Sequence, residues 1–224
     1  MQQGFAAKRS GVNPNKVMNT SPAIVVLAAG QSSRFEHKEH KLMQPLGSGT
    51  VLGRTIGHAV ATGLPLVVVT TERLASEAAR WVPRRDLVVL PEMGSGSSQP
   101  LGMGFSIASG VAARSHANGW LMLPGDMPMV RPATLLAVAR ALDQHLVAYA
   151  QHHGRRGHPV GFSAELYSEL VQLSGDEGAR RLLARYPSVG LEVADPGALM
   201  DVDTLADLER ARRLVDEVAD NPRP

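Results

Sequence analysis

Short apolar runs alternate with longer amphipathic segments through most of this 224-residue chain. Five of the runs are apolar, partly β-branched and bounded by glycine or polar residues, which is typical of strands buried on both faces of a parallel sheet. These predicted strands span residues 23–29, 66–70, 87–90, 120–123 and 146–150. Their alternation with amphipathic segments predicts an α/β fold.

The segments between the strands carry apolar residues at helical spacing, for example Leu52, Ile56 and Val60 before Gly63. Helices are predicted at residues 51–63, 73–82, 105–114, 132–144, 163–173, 178–186 and 204–218. We therefore expect one domain over residues 23–219, a Rossmann-like three-layer sandwich with a mostly parallel sheet. Residues 1–22 are polar, basic and aperiodic and are expected to form a disordered leader, and residues 220–224 a frayed tail.

Charge and composition exclude several classes of function. The 23 lysines and arginines nearly balance the 21 aspartates and glutamates, so a nucleic-acid partner is not expected. The chain has no cysteine, which excludes disulfides, thiolate metal sites and cysteine nucleophiles. No apolar run is long enough to span a bilayer and no signal-peptide pattern is present, so we expect a cytoplasmic protein without a membrane partner.

The turn after the first predicted strand is a candidate phosphate site. Gly30 ends the apolar run, and a polar segment with Arg34, Lys38 and Lys41 follows. Open α/β sheets bind ligands where the chain leaves a parallel strand, and glycine lets backbone N–H groups approach a phosphate. An ordinary loop with a solvated basic run is the alternative. Neither the P-loop pattern nor the dinucleotide-binding glycine pattern is present.

Residues 27–46, called the signature loop below, resemble the L-A-A-G-x-S-x-R-x-G-x-x-K signature of MobA/MocA-like nucleotidyltransferases. The matching residues are Leu27, Ala28, Ala29, Gly30, Ser32 and Arg34. Glu36 replaces the second glycine, and the lysine falls two residues late. We assign it to Lys41 rather than Lys38, because the following residues match the family's K-L-L-x-P-L context. The resemblance implies nucleotide contacts along this stretch, including Gln31 and Ser33, and at Thr70.

A glycine- and serine-rich loop at residues 91–104 precedes the third predicted helix. Loops of this kind in compact domains are more often functional than idle. Its end resembles the family's M-G-x-S-L-x-x-G-V pattern, which implies that Gly104 and Ser106 contact the base and ribose of a nucleotide. A surface loop followed by a helix N-terminus is the structural alternative.

Two aspartates are candidate metal ligands. Asp126 follows the fourth predicted strand and so lies at the same sheet edge as the signature loop, where a lone aspartate is also typical of a turn or helix cap. Its segment resembles the family's G-D-M-P motif, which implies that Gly125 and Asp126 contact the nucleotide and that Asp126 binds Mg²⁺ or Mn²⁺. The D-V-D-T segment resembles the site of a second metal carboxylate, Asp203, and Thr204 with Asp207 forms a capping-box pattern.

Two further segments indicate a site for an anionic second substrate. Residues 154–162 offer two guanidinium groups and an imidazole beside glycines, although a histidine alone is more often structural. They resemble the G-x-x-G-H-P-V-x-F motif of molybdopterin cytidylyltransferases, and residues 174–180 resemble the T-G-D-x-G-A-R segment of the same branch. The implied acceptor contacts are Arg155, His158, Pro159, Asp176 and Gly178.

Together the motifs imply a nucleotidyltransferase that uses Arg34, Lys41 and Asp126 in catalysis and Mg²⁺ as its cofactor. The implied substrates are CTP and the molybdopterin form of the molybdenum cofactor, and the products are the cytosine dinucleotide cofactor and pyrophosphate. A molybdoenzyme or its maturation chaperone is the implied protein partner, and we expect a monomer or weak dimer. The alternatives are a GTP-using guanylyltransferase, a sugar or polyol nucleotidyltransferase, and a cofactor carrier or insertion chaperone without transfer chemistry.

Overall fold

The structure of the protein, a computed structural model, describes residues 21–30, 35, 39–91 and 102–220, with only the backbone of residues 218–220. The strands of its main sheet are β1 (Ala23–Ala28), β4 (Leu66–Thr71), β5 (Leu87–Leu90), β6 (Gly119–Pro124), β7 (Val147–His152), β8 (Arg155–Ser163) and β9 (Ser188–Glu192). They lie in the order β5-β4-β1-β6-β8-β7-β9. A small hairpin, β2 (Pro45–Leu46) with β3 (Gly49–Thr50), follows a 3₁₀ turn at Lys41–Met43.

Neighbouring strands of the main sheet are parallel except at β8, which runs antiparallel to both β6 and β7. β1 lies inside the sheet, between β4 and β6, and its residues alternate between the two faces of the sheet. Ile24 and Val26 belong to one buried core, whereas Ala23 and Val25 belong to the other. The prediction of a mostly parallel α/β sheet is confirmed.

Helices cover both faces of this sheet and complete the three layers. On the core of Ile24 and Val26 lie α1 (Val51–Val60), α2 (Glu72–Ala78), α4 (Pro132–Ala141) and α7 (Leu205–Asp220). On the core of Ala23 and Val25 lie α3 (Gly102–Ala113), α5 (Tyr167–Leu170) and α6 (Arg180–Arg185). Within the described part of the chain, no helix is both long enough and apolar enough to cross a membrane.

Two strands of the main sheet, β8 and β9, were not expected from the sequence, and neither was the small hairpin of β2 and β3. In β8, glycines and a proline hide the alternation that is typical of a strand. Pro159 is accommodated because the pairing of β7 with β8 shifts register between Tyr149 and Gln151, where the ladder is interrupted. β9 is an edge strand whose residues are half-buried or exposed, so it lacks the apolar run that marks the central strands.

Five predicted helices are shorter in the structure, among them α2, which ends at Ala78, and α4, which ends at Ala141. The prediction at residues 163–173 is wrong in its first part, because β8 continues to Ser163 and a 3₁₀ turn at Ala164–Leu166 precedes α5. The segment at 178–186 is α-helical only over Arg180–Arg185. α1 ends at Val60, and Gly63 follows with a φ of +71°, the left-handed conformation in which glycine commonly ends a helix.

Candidate active site

A cavity of about 460 Å³ opens at the carboxyl ends of β1 and β6. Its walls come from the signature loop, the loop after β6, the segment before α7 and the start of β8. The predicted site residues that line it are Leu27, Ala28, Gly30, Lys41, Asp126, Arg155, His158 and Asp203. The structure therefore brings together residues from the predicted nucleotide, metal and acceptor sets.

Lys41 joins the two aspartates that the motifs single out. Its Nζ lies 2.5 Å from Asp126 Oδ2 and 2.6 Å from Asp203 Oδ1. The three side chains are mostly buried, with 13%, 19% and 20% of their surfaces exposed. Burial alone lowers the pKa of Lys41, but the charges and hydrogen bonds of both carboxylates outweigh it and raise the pKa. The ammonium therefore stays charged between two carboxylates.

Two backbone hydrogen bonds and one from a threonine hydroxyl hold the loop that carries Asp126. The amide of Gly125 donates to the carbonyl of Leu27 at 2.8 Å, which ties the loop to β1. The hydroxyl of Thr55, in α1, donates to the carbonyl of Gly125 at 2.9 Å. The amide of Val202 donates to the carbonyl of Asp126 at 2.9 Å, so the segments that carry the two aspartates are directly connected.

Asp203 lies immediately before the cap of α7, and the predicted capping box is present. The amide of Thr204 donates to Asp207 Oδ2 at 2.9 Å, and the amide of Asp207 donates to Thr204 Oγ1 at 3.2 Å. The hydrogen bond from the Thr204 hydroxyl is the main cause that lowers the pKa of Asp207, so this carboxylate stays charged at the helix N-terminus. The rigid cap fixes the chain next to Asp203.

The Asp126–Asp203 pair has the donor chemistry of a site for a hard divalent cation. Asp126 Oδ1 is buried and has no hydrogen-bond partner among the described residues, so one oxygen is left for a further ligand. The described residues contain no group of three or more histidine or acidic side chains placed to hold a metal. Two carboxylates with substrate phosphates are what Mg²⁺ sites commonly provide. The residues present therefore fit the implied metal.

The start of β8 forms the wall opposite this charge cluster. Arg155 is exposed at the cavity, and His158 Nδ1 is buried without a hydrogen-bond partner in the described part of the chain. Burial lowers the pKa of His158, so the ring is neutral near pH 7. A Cβ on Gly157 would lie 2.2 Å from the carbonyl oxygen of Ala198, so only glycine lets β8 approach the 3₁₀ turn at Pro196–Leu199 this closely.

Other predicted residues lie outside the cavity wall and keep their roles as predictions. They are Ala29, Thr70, Gly104, Ser106, Gly125, Pro159, Asp176 and Gly178. Thr70 is fully buried in β4, in register with Ala28. The amide of Gly104 donates to the carbonyl of Gly175 at 2.8 Å, so the segment with Asp176 packs on the start of α3.

Some predictions lie outside the described residues. They concern the leader up to residue 20, Gln31, Ser32, Ser33, Arg34, Glu36, Lys38, residues 92–101 and the tail after residue 220.

The structure also adds two residues that the motifs did not indicate, Thr55 and His40. His40 gives a weak local signal, because a polar side chain directly before a short helical turn is typical of an N-cap.

Comparison with known proteins agrees with this geometry. Residues 24–189, from β1 to the start of β9, match the family model of the MobA-like NTP transferase domain. The chain belongs to the MobA-like NTP transferase family. It is thus a member of a nucleotidyltransferase family.

Several relatives of this MobA-like protein are similar over most of its length. Purine catabolism protein PucB of Bacillus subtilis (strain 168) is 31% identical over 205 residues, covering 84% of this chain and 95% of PucB. Phosphoenolpyruvate guanylyltransferase of Nocardia farcinica is 32% identical over 182 residues, covering 81% of this chain and 76% of that protein.

Solved structures extend the likeness to the fold. Rv0371c from Mycobacterium tuberculosis H37Rv has a TM-score of 0.73 and 30% identity, covering 87% of this chain and 98% of Rv0371c. Its complex with manganese has a TM-score of 0.69, 29% identity and the same coverage of both chains. Binding of a divalent metal by a similar structure supports divalent-metal use in this family.

Proposed function

We propose that this protein transfers CMP from CTP to the terminal phosphate of molybdopterin and releases pyrophosphate. The observation that carries the proposal is the cluster of Lys41, Asp126 and Asp203 in a cavity that also reaches β8. A cation and two carboxylates beside the Gly30 turn suit a polyphosphate with its metal. The exposed Arg155 suits a second, anionic substrate on the other wall.

The chemistry needs positioning and charge neutralisation rather than a covalent enzyme intermediate. An ionised oxygen of the acceptor phosphate attacks the α-phosphorus of the nucleotide in line with the leaving group. A P–O bond forms as the bond from the α-phosphorus to the bridging oxygen breaks, and pyrophosphate leaves with that electron pair. No side chain has to accept a proton, because the attacking oxygen is already ionised.

The charged side chains divide this work. Asp126 and Asp203 would hold Mg²⁺ or Mn²⁺, which when bound neutralises phosphate charge. The Nζ of Lys41 lies where the carboxylates converge, so the ammonium and a bound cation compete for the same oxygens. Once displaced from them, Lys41 is still within the cavity and can contact a phosphate. Arg34 is proposed to add a further positive charge to the same phosphates.

Molybdopterin is proposed as the acceptor because of the β8 motif and the similarity to PucB. The implied product is used by xanthine-dehydrogenase-type enzymes, which oxidise purines, and PucB is named for purine catabolism. The wall itself supports an acceptor with both anionic and hydrogen-bonding groups. Arg155 supplies exposed positive charge, and the neutral His158 supplies a buried nitrogen without a partner among the described residues.

Cytosine is the proposed base, because the β8 motif and residues 174–180 resemble the cytidylyltransferase branch. Similarity to a phosphoenolpyruvate guanylyltransferase makes GTP the rival nucleotide. Pyrophosphate release with each NTP in turn and purified molybdopterin tests both. We expect kcat/KM for CTP to exceed that for GTP at least about tenfold, a difference of about 1.4 kcal/mol. A preference for GTP contradicts the cytidylyl assignment, and no release with any NTP contradicts the proposed function.

A further inference from the structure

His40 immediately precedes the 3₁₀ turn that carries Lys41, and only 8% of its surface is exposed. The amide of Leu42 donates a hydrogen bond to Nδ1 of the ring at 3.2 Å, which caps the turn. The other ring nitrogen, Nε2, lies 3.0 Å from the carbonyl oxygen of Gly30. One side chain therefore contacts both ends of the connection between Gly30 and Lys41.

These two bonds fix the protonation of the ring. Nδ1 accepts from an amide and so carries no proton, and Nε2 must donate because its partner is a carbonyl oxygen. Burial lowers the pKa of His40, and the positive charges of Arg73 and Lys41 lower it further. The hydrogen bond to Gly30 raises the pKa, but the net shift is downward. The neutral imidazole is thus a directional bridge with one acceptor and one donor.

The imidazole of His40 joins Gly30 to the 3₁₀ turn of Lys41, on the side of the cavity where a nucleotide phosphate is proposed to bind. Gly30 and Lys41 both line the cavity, and the connection between them is two residues longer than in the family signature. A longer connection has more conformations to restrict when its ends are held together. We propose that His40 is a positioning residue for nucleotide binding that holds Gly30 and the Lys41 turn at one separation across this longer connection. This proposal rests on the proposed nucleotide-binding role of the cavity.

Two substitutions separate the two hydrogen bonds. The side-chain oxygen in His40→Asn takes roughly the place of Nδ1, so it can cap Leu42 but is too short to reach Gly30. The amide in His40→Gln reaches the place of Nε2 and keeps the donation to Gly30. His58→Asn is a matched control, because the half-buried ring of His58 donates to the carbonyl of Val130 at 2.8 Å and is not among the described residues that line the cavity.

Isothermal titration with Mg·CTP and with Mg·GTP measures nucleotide affinity, and steady-state pyrophosphate release gives kcat and KM. We expect His40→Asn to weaken nucleotide binding and raise KM about five- to tenfold, with kcat within about twofold of wild type. His40→Gln should keep its nucleotide affinity, KM and kcat within about twofold of the wild-type values. His58→Asn should lower the melting temperature and leave nucleotide affinity unchanged.

A His40→Asn variant that binds nucleotide as tightly as wild type would overturn the positioning role. A His40→Gln variant that loses as much nucleotide affinity as His40→Asn would overturn it as well. If His40→Asn does not fold, His40→Gln decides alone: affinity close to wild type supports the role, and a clear loss overturns it. A wild-type protein that binds neither nucleotide refutes the proposed function, and the role of His40 with it. Because nucleotide binding is measured on the wild-type protein first, failure of the proposed function is distinguished from failure of the positioning role of His40.

Discussion

The ammonium of Lys41 lies between two carboxylates and therefore competes with any cation that they bind. Asp126 and Asp203 each place one oxygen within 2.6 Å of its Nζ. Removing the ammonium ends this competition, and it leaves two mostly buried carboxylates close together without a counter-charge between them. Metal affinity and nucleotide affinity should consequently respond to this residue in opposite directions.

We expect Lys41→Ala to bind Mn²⁺ more tightly than wild type when nucleotide is absent, because the competing ammonium is gone. Nucleotide turnover should fall, since one charge-assisted phosphate contact contributes about 1.5–3 kcal/mol. Electron paramagnetic resonance of free Mn²⁺ measures the first effect, and steady-state kinetics the second. Lys38→Ala is the control. Equal losses of turnover at both lysines would show that the assignment of the displaced lysine is wrong.

The hydroxyl of Thr55, on α1, supports the loop that carries Asp126 through a hydrogen bond to Gly125. This buried hydroxyl lies 2.9 Å from the carbonyl oxygen of Gly125 and 3.1 Å from that of Val51. Thr55→Val keeps the shape but leaves a buried carbonyl without its donor, which should lower the free energy of unfolding by about 1–3 kcal/mol. Thr55→Ser keeps the hydroxyl and should lose less. Urea unfolding compares the variants, and a valine variant as stable as wild type would contradict this role.

Sequence predicted the charged residues of the site but not the residues that hold them. Asp126 and Asp203 stand in motifs whose spacing and context indicate their chemistry. Thr55 lies in an ordinary helical segment and His40 in a lengthened connection, and their hydrogen-bond partners become neighbours only in the folded chain. A local pattern carries no information about such partners.

Asp195 connects α4 to the wall of the cavity. Its buried carboxylate accepts hydrogen bonds from the amide of Arg131 at 2.9 Å and the hydroxyl of Thr134 at 2.6 Å, both at the start of α4. It also accepts from the amide of Gly197 at 3.1 Å, within the 3₁₀ turn that packs on β8. A single carboxylate therefore fixes a helix against the turn that packs on the β8 wall of the cavity.

We expect Asp195→Asn to lower the free energy of unfolding by about 1–3 kcal/mol, because the amide group cannot accept every bond that the carboxylate accepts. Asp143→Asn removes the same charge from an exposed residue just after α4 and should change stability by less than about 0.5 kcal/mol. Urea unfolding of the two variants measures the difference. Similar stabilities in both would mean that the buried carboxylate does not hold these elements together.

At the level of elements, burial decides what the sequence can predict. β1, β4 and β6 are covered on both faces, so their sequences are continuous apolar runs. β8 begins with two exposed arginines and carries two glycines and a proline, so its extended form follows from pairing with β6 and β7 rather than from its composition. The arginines, glycines and proline of β8 interrupt the apolar pattern by which a strand is recognised in a sequence.

Buried imidazoles make the stability of the whole molecule depend on pH. Burial lowers the pKa of His40, His58 and His158 below the usual value of 6.5. Each ring binds a proton more readily in the unfolded chain than in the folded one. Its contribution to stability is therefore complete above pH 6.5 and is lost as the pH falls through the lower pKa of the folded state.

We expect the free energy of unfolding to decrease as the pH falls from about 7.5 to about 5.5. Urea unfolding at several pH values measures this slope. His58→Gln removes one of the three rings and should make the slope shallower without touching the cavity. A free energy that stays constant or rises as the pH falls would contradict the burial of neutral imidazoles.

On the scale of the whole molecule, the alternation of strands and helices was enough to predict three layers and a mostly parallel sheet. The strand order was not predictable. β8 turns back along β7 after a short turn at residues 153–154 and then also pairs with β6, which is distant in sequence. That pairing brings the start of β8 into the wall of the cavity that also contains Lys41, Asp126 and Asp203. The fold thus creates a site with two sides from motifs that are far apart in sequence.

We propose that this cavity transfers a nucleotide rather than only carrying a cofactor. Transfer needs the charge of Asp126 and Asp203 to hold the metal, whereas a carrier of molybdopterin needs neither carboxylate. Replacement of either aspartate by asparagine keeps the shape of the side chain and removes its charge. These variants therefore separate transfer from binding in the same folded protein.

The most direct measurement is single-turnover transfer of labelled CMP from CTP to molybdopterin by wild type, Asp126→Asn and Asp203→Asn. We predict that transfer falls at least about a hundredfold in both variants. Molybdopterin affinity should stay within about threefold of wild type, because the β8 wall, the proposed acceptor site, is unchanged. Transfer near the wild-type rate in both variants would show that the carboxylate pair has no part in the reaction, and the proposed metal site would then be wrong.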